Sequence, residues 1–134
     1  MRYYDPRGET FLYVVHVPGG VKNFGFDQEF LGHTEFVSKV GVTNNLVSRL
    51  SSLQSDMRVL HAAIRIAHGA IRPELFWAAK LPTRVAALQI ERNIKLLYAG
   101  KGWHGFKEWF TVNPESLVVA CEVALDAGEK RLAA

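Results

Sequence analysis

Cysteine is nearly absent from this chain, and no long apolar run occurs in it. Cys121 is the single cysteine among 134 residues, which excludes an internal disulfide and favours a reducing compartment. No segment approaches the roughly 18 consecutive apolar residues of a membrane span. The first residues lack the apolar stretch of a signal peptide. We therefore expect a cytoplasmic protein that has no membrane partner.

Motifs of three common site types are missing as well. The five histidines have no metal-ligand spacing with the cysteine, so a structural zinc ion is not expected. The chain has no nucleophile elbow centred on serine. The glycine-containing segment 100–105 lacks the Ser or Thr and the following helix that a phosphate-binding loop needs. We interpret that segment as a basic loop.

The composition is that of one ordinary globular domain. Hydrophobic residues make up 49% of the chain and charged residues 22%, which is typical of a soluble domain with a single core. No internal repeat, low-complexity stretch or linker interrupts the sequence. We expect one domain over residues 1–134.

Positive charge is concentrated in the middle of the chain. The formal net charge is only +3, but residues 36–107 carry eleven basic and three acidic side chains, whereas both flanking segments are net negative. Such a block attracts a polyanion such as nucleic acid. The alternative is that the basic side chains only solvate helix surfaces.

Two strands near the start of the chain should pair as an antiparallel hairpin. Apolar strand-forming residues predict strands at about 10–17 and 35–42. The connection at 18–35 is too long for a tight turn, and a short helix at 27–31 would fit within it. We expect its apolar side chains to cover a sheet edge or a second subunit; they are Phe24, Phe26, Phe30 and Leu31.

The next element should be a helix. Leu46, Leu50 and Leu53 are spaced for one helix face. A cap at Thr43 or Asn44 would begin that helix, and we expect it to end near Leu53.

Residue composition and the positions of helix- and strand-breaking residues predict the remaining elements. The segment 58–70, rich in Val, Leu and Ile, indicates a third strand, while 75–79 fits either a strand or a short helix. A clear helix should cover 83–99, a short strand 108–112 and a final helix 114–131. The fold class is therefore α+β, with a small central antiparallel sheet flanked by helices.

Glu91 is an unusual residue for its position in the helix predicted at 83–99. It falls on the apolar face of that helix. An unpaired charge that points into packing is costly, so the carboxylate needs a cation or a metal ion. An ion pair with Arg84 or Lys95, which share that face, would satisfy it equally well.

The order of several motifs resembles the GIY-YIG nuclease superfamily. In this sequence the motifs are Tyr13 on the first strand, Lys-Val-Gly-Val-Thr at 39–43, Arg49, Glu91 and Glu-Trp-Phe at 108–110. The similarity is to the viral and meiotically up-regulated branch, whose second strand reads Val-Lys-Ile-Gly-x-Thr and whose last strand contains Glu-Trp-Phe. The resemblance implies a GIY-YIG-like fold and a metal-dependent endonuclease that hydrolyses DNA phosphodiester bonds.

The resemblance also implies a role for four residues. Glu91 would be the single protein ligand of Mg²⁺ or Mn²⁺. Tyr13 would deprotonate or orient the attacking water, with Lys39 and Arg49 supplying the positive field that favours its phenolate. Arg49 would clamp the phosphate. Lys39 replaces the tyrosine of the second motif, so we assign it to phosphate contact or to tuning of Tyr13. All four should line one concave basic surface.

Six further residues are candidates for contact with the substrate. On the second strand and the turn after it, Gly41 would allow close backbone approach, and Thr43 and Asn44 would contact phosphate; Thr43 would otherwise cap the helix. In the basic loop the candidates are Lys101, Trp103 and His104, with the two rings stacking on bases. Trp103 would otherwise pack into the core.

Two departures from the superfamily leave the function open. The first motif reads Phe-Leu-Tyr instead of Gly-Ile-Tyr, and Leu53 stands where many active members have a histidine. The alternatives to an endonuclease are a catalytically silent nucleic-acid-binding module of the same fold and a structural or protein-interaction domain. A nuclease without a recognition domain would cut with little specificity or take its targeting from a homodimer or a partner protein.

Overall fold

A five-stranded antiparallel sheet forms the centre of this computed structural model, which describes residues 10–18, 21–22, 33–34, 36–64, 72–103 and 106–133. The strands are β1 Thr10–His16, β2 Val21–Lys22, β3 His33–Thr34, β4 Ser38–Thr43, β5 Glu74–Leu81, β6 Gly102–Trp103 and β7 Phe106–Phe110. The helices are α1 Leu46–Ile64, α2 Arg84–Leu97 and α3 Pro114–Ala133, with a short 3-10 helix at Ala99–Lys101. The central sheet has the order β5-β1-β4-β7-β6. The α+β class is therefore confirmed.

The predicted hairpin is confirmed by the pairing of β1 with β4. Its register sets Tyr13 opposite Gly41 and Val15 opposite Lys39, so these four residues point to the same face of the sheet. Between the two strands, β2 and β3 form a separate two-stranded sheet. The short helix expected at 27–31 and the phenylalanines of that connection lie outside the described residues.

Helices cover both faces of the central sheet. On one face, Tyr13 and Val15 pack with Leu53 of α1 and with Trp109 of β7. On the other face, alternate residues of β1 pack against apolar side chains of α2 and α3. Cys121 lies in this second cluster, and burial raises the pKa of its thiol to about 12. The domain thus has three layers, with the sheet between helices.

The third strand predicted at 58–70 is wrong over 58–64, because α1 continues to Ile64; residues 65–70 lie outside the described residues. No glycine or proline interrupts residues 46–64, so nothing in that stretch ends a helix that has already begun. A run of Val, Leu and Ile is compatible with a buried helix as well as with a strand. The edge strand is instead β5, which includes the ambiguous segment 75–79 and pairs with β1.

Side chains cap each of the three helices. The expected cap of α1 at Thr43 or Asn44 is wrong, since Oδ1 of Asn45 accepts a hydrogen bond from N of Ser48 at 2.9 Å. Thr83 caps α2 through Ala86, and Asn113 caps α3. None of the helices in the described part of the chain has the length and apolar character needed to cross a membrane.

Candidate functional site

The ring of Tyr13 lies across Gly41 on the neighbouring strand. Tyr13 is only 1% exposed. A Cβ atom placed on Gly41 would overlap the hydroxyl oxygen and the adjoining ring carbon of Tyr13, and it would lie 2.8 Å from Cε1. Glycine is therefore required here for a packing reason. The close approach expected at Gly41 is made by Tyr13.

Arg49 is held against the same phenol from α1. Its backbone N–H bonds the carbonyl of Asn45, which places it in the first turn of the helix. Its Nε donates a hydrogen bond to the hydroxyl of Tyr13 at 3.1 Å. This bond raises the pKa of Arg49 further and keeps the guanidinium charged. The phenol oxygen acts as the acceptor, which leaves its own proton to be donated to another group.

The expectation that Lys39 and Arg49 favour a Tyr13 phenolate is wrong. Burial raises the pKa of Tyr13 above its usual value of 10.0, and the hydrogen bond and charge of Arg49 offset this only in part. The negative charges of Glu91 and Glu108 raise it further. Tyr13 is therefore a protonated phenol at neutral pH and is suited to donating a hydrogen bond.

Lys39 is buried and already has a carboxylate partner. Its side chain is 2% exposed, and Nζ lies 2.9 Å from Oε2 of Glu108. Burial lowers the pKa of Lys39, while Glu108 acts in the opposite direction. The ammonium is thus engaged inside the protein, where it orders β7 beside β4. A surface contact between Lys39 and phosphate would require this pair to open.

Lys95 links that pair to Glu91. Its Nζ lies 3.3 Å from Oε1 of Glu108 and 3.5 Å from Oε1 of Glu91. The ion pair between Glu91 and Lys95 that the sequence allowed is therefore present. The charge of Glu91 also acts on Tyr13. A single electrostatic network thus includes Tyr13, Lys39, Arg49 and Glu91. The expectation that the four line one surface is wrong, because Tyr13 and Lys39 are buried.

Sequence reasoning missed the role of Glu108 in this network. Glu108 belongs to the Glu-Trp-Phe motif and lies just outside the basic segment 36–107. Lys39 holds the pKa of its carboxyl at about 2, with Lys95 adding to the effect. The available signal was Lys39 itself, because a lysine in a buried strand needs a counterion.

The Lys39–Glu108 pair should make the free energy of unfolding depend on pH in the acid range. The pKa of Glu108 is lowered from 4.5 to about 2 in the folded state. Its contribution to the free energy of unfolding is therefore full above pH 4.5 and is lost as the pH falls through 2. Because Glu108 is more than half exposed, we expect Glu108→Gln to cost about 1 kcal/mol at pH 7. Urea unfolding at pH 7, 4 and 2.5 measures this.

The matched control for that measurement is Glu122→Gln, which removes a carboxylate from the exposed face of α3. The stability deficit of Glu108→Gln should shrink between pH 4 and pH 2.5, since protonation removes the same charge from the parent. Equal stability of Glu108→Gln and Glu122→Gln at all three pH values would contradict the assignment.

The remaining substrate-binding candidates that the structure describes lie in two separate places. The hydroxyl of Thr43 accepts from N of Asn45 at 3.1 Å, a local turn contact at the start of α1, and Asn44 lies in the same bend. Lys101 is exposed and precedes β6, beyond β7 at the far edge of the sheet. The side chain of Trp103 and all of His104 lie outside the described residues.

The donor set near Glu91 fits a divalent cation that keeps most of its water. No cluster of three or more His, Cys, Asp or Glu that could hold a metal is found among the residues the structure describes. Mg²⁺ is commonly bound by one or two carboxylates together with water and substrate phosphate. Glu91, with an 18% exposed side chain, and Glu108 supply that number of carboxylates.

The larger of two cavities that the described residues form lies away from this network. A cavity of about 380 Å³ lies at the start of α3, lined by residues that include His16, Phe36 and Phe76, none of them a candidate. The cavity between Tyr13 and Arg49 measures about 10 Å³, which is room for roughly one water. Because Tyr13 and Lys39 are buried, a ligand from outside would first meet the partly exposed members of the network, such as Arg49 and Glu91.

No protein-family model, curated protein or solved structure matches this chain.

Proposed function

We propose that this protein is a metal-dependent endonuclease that hydrolyses DNA phosphodiester bonds on a GIY-YIG-like fold. The observation that supports this best is the convergence on one phenol of Arg49, by a 3.1 Å hydrogen bond, and of Glu91, by its charge. These three residues come from β1, α1 and α2. They supply a hydrogen-bond donor, a cation for phosphate and a carboxylate for a hard cation.

Arg49 carries the binding step in this proposal. A guanidinium can bond two oxygens of one phosphate and offset the charge that develops at phosphorus. The hydrogen bond to Tyr13 fixes its Nε, so the direction of the group is set before substrate arrives. The basic segment 36–107 steers a polyanion towards it.

Tyr13 orients the nucleophile. Its pKa is raised, so it donates its proton as a hydrogen bond and does not act as a free base at neutral pH. With its oxygen occupied by Arg49, the O–H is directed to one acceptor, the attacking water, for which the cavity of about 10 Å³ between Tyr13 and Arg49 has room. Mg²⁺ or Mn²⁺ held at Glu91 would supply Lewis acidity to the phosphate. The pair of Lys39 and Glu108 holds β4 and β7 in place beneath these groups.

The deciding experiment offers supercoiled, branched and single-stranded DNA to the purified protein with Mg²⁺ or Mn²⁺. Metal-dependent cleavage of any form, abolished by a chelator, supports the proposal. Salt-dependent binding without cleavage would make the silent nucleic-acid-binding module the better account. Neither binding nor cleavage would favour the structural domain.

Substitutions at Arg49 and Tyr13 should separate binding from rate. Arg49→Ala removes a charge used by substrate and transition state alike, so we expect weaker DNA binding and a cleavage rate about 100-fold lower. Tyr13→Phe keeps the ring over Gly41 and removes only the hydroxyl, so the rate should fall about 100-fold while the Kd for DNA changes little. Single-turnover cleavage and fluorescence anisotropy measure the two effects.

The control for Arg49→Ala is Arg92→Ala, which removes the same charge from an exposed position on α2. It should leave the single-turnover rate unchanged. A rate loss as large as that of Arg49→Ala would show that only general charge matters. Tyr13→Phe with the parent rate would remove Tyr13 from the site.

A further inference from the structure

We propose that the ammonium of Lys95 occupies the position of the divalent cation in the free protein, and that the metal binds by displacing it. This inference rests on the proposed function for the identity of the cation. It concerns which group neutralises Glu91 before the metal arrives.

The position of Lys95 between two carboxylates supports the inference. One ammonium lies between two carboxylates from different elements, 3.5 Å from Glu91 of α2 and 3.3 Å from Glu108 of β7. Both distances are longer than the 2.9 Å that separates Lys39 from Glu108. Lys95 is thus held by two weak pairs, whereas Glu108 is anchored by one strong pair.

The surroundings make Lys95 the exchangeable member of the network. Its side chain is 27% exposed, whereas that of Lys39 is 2% exposed, so Lys95 can return to water at much lower cost. Departure of Lys95 leaves Glu91 with an unneutralised charge at a largely buried position. A divalent ion carrying its own water satisfies that charge, and Glu108 stays in place because Lys39 retains it.

Loss of the competing ammonium should therefore increase metal affinity in the absence of DNA. Lys95→Met keeps the apolar stem of the side chain and removes its charge. We expect the free protein to bind Mn²⁺ about tenfold more tightly than the parent, since one opposing charge within 4 Å is removed. Titration of Mn²⁺ followed by electron paramagnetic resonance measures free ion directly and requires no catalysis.

Two further variants identify the site. Lys101→Met removes a lysine from an exposed position at the far edge of the sheet, and its Mn²⁺ affinity should match that of the parent. Glu91→Gln combined with Lys95→Met should abolish the gain, because the carboxylate that receives the ion is missing. Lys95→Gln serves as a second charge-removing variant, and thermal unfolding verifies that each protein is folded.

The outcomes separate this inference from the proposed function. Equal Mn²⁺ affinity of parent, Lys95→Met, Lys95→Gln and Lys101→Met overturns the inference, whether or not the parent cuts DNA. A gain that persists in the double variant also overturns it, because the ion is then bound elsewhere. A gain that depends on Glu91 supports it, even if the parent proves inactive on every DNA form.

Discussion

Replacement of Glu91 by glutamine should remove metal-dependent DNA cleavage while the fold and the DNA affinity persist. The amide keeps the size and shape of the carboxylate, but it is a poor ligand for a hard cation. We expect a loss of at least about 100-fold in single-turnover rate with Mg²⁺ or Mn²⁺. The Kd for DNA, measured at one fixed salt concentration, should stay within about threefold of the parent value.

Stability should change little in Glu91→Gln. The substitution removes one ion pair of 3.5 Å with a partly exposed lysine one helical turn away, and such pairs contribute about 0.5 kcal/mol or less. Loss of cleavage in a folded, DNA-binding variant would therefore identify a chemical role. Glu122→Gln, at an exposed position on α3, controls for the loss of one negative charge. Cleavage by Glu91→Gln at the parent rate would end the case for Glu91 as the metal ligand.

Gly41→Ala should strongly destabilise the fold. The added methyl group would occupy space that the hydroxyl and ring of Tyr13 already fill. Tyr13 is buried to 99% and sits on a central strand between β4 and β5, so its ring cannot move without disturbing its neighbours. Overpacking of this kind costs about 3 kcal/mol or more. Chemical denaturation at neutral pH measures the change.

Two comparisons test the cause of that loss. A Cβ atom on Gly100 would meet nothing within 4 Å, so Gly100→Ala should be nearly neutral. In a Tyr13→Val background the ring is gone, and Gly41→Ala should then cost less than about 1 kcal/mol. If the full cost persists without the ring, the collision with Tyr13 is not what makes glycine necessary at position 41.

Local patterns were sufficient for elements whose causes are local. The strand at 10–17 and the helices at 83–99 and 114–131 depend on residues within a few positions of each other, and these predictions are confirmed to within two residues at each end. The same reasoning failed where two structures shared one pattern. Residues 58–64 suit a strand or a helix equally, and continuation of α1 without a breaker decided between them.

The order of the motifs selected Tyr13, Arg49 and Glu91, whereas the tertiary structure decided what surrounds them. Lys39 and Glu108 are separated by 69 positions in the chain, and no periodicity connects such residues. Burial, which the sequence does not specify residue by residue, makes Tyr13 a protonated donor in spite of its arginine neighbour. Residue types and short spacings are written in the sequence, but desolvation and long-range charge pairs exist only once the strands and helices have packed.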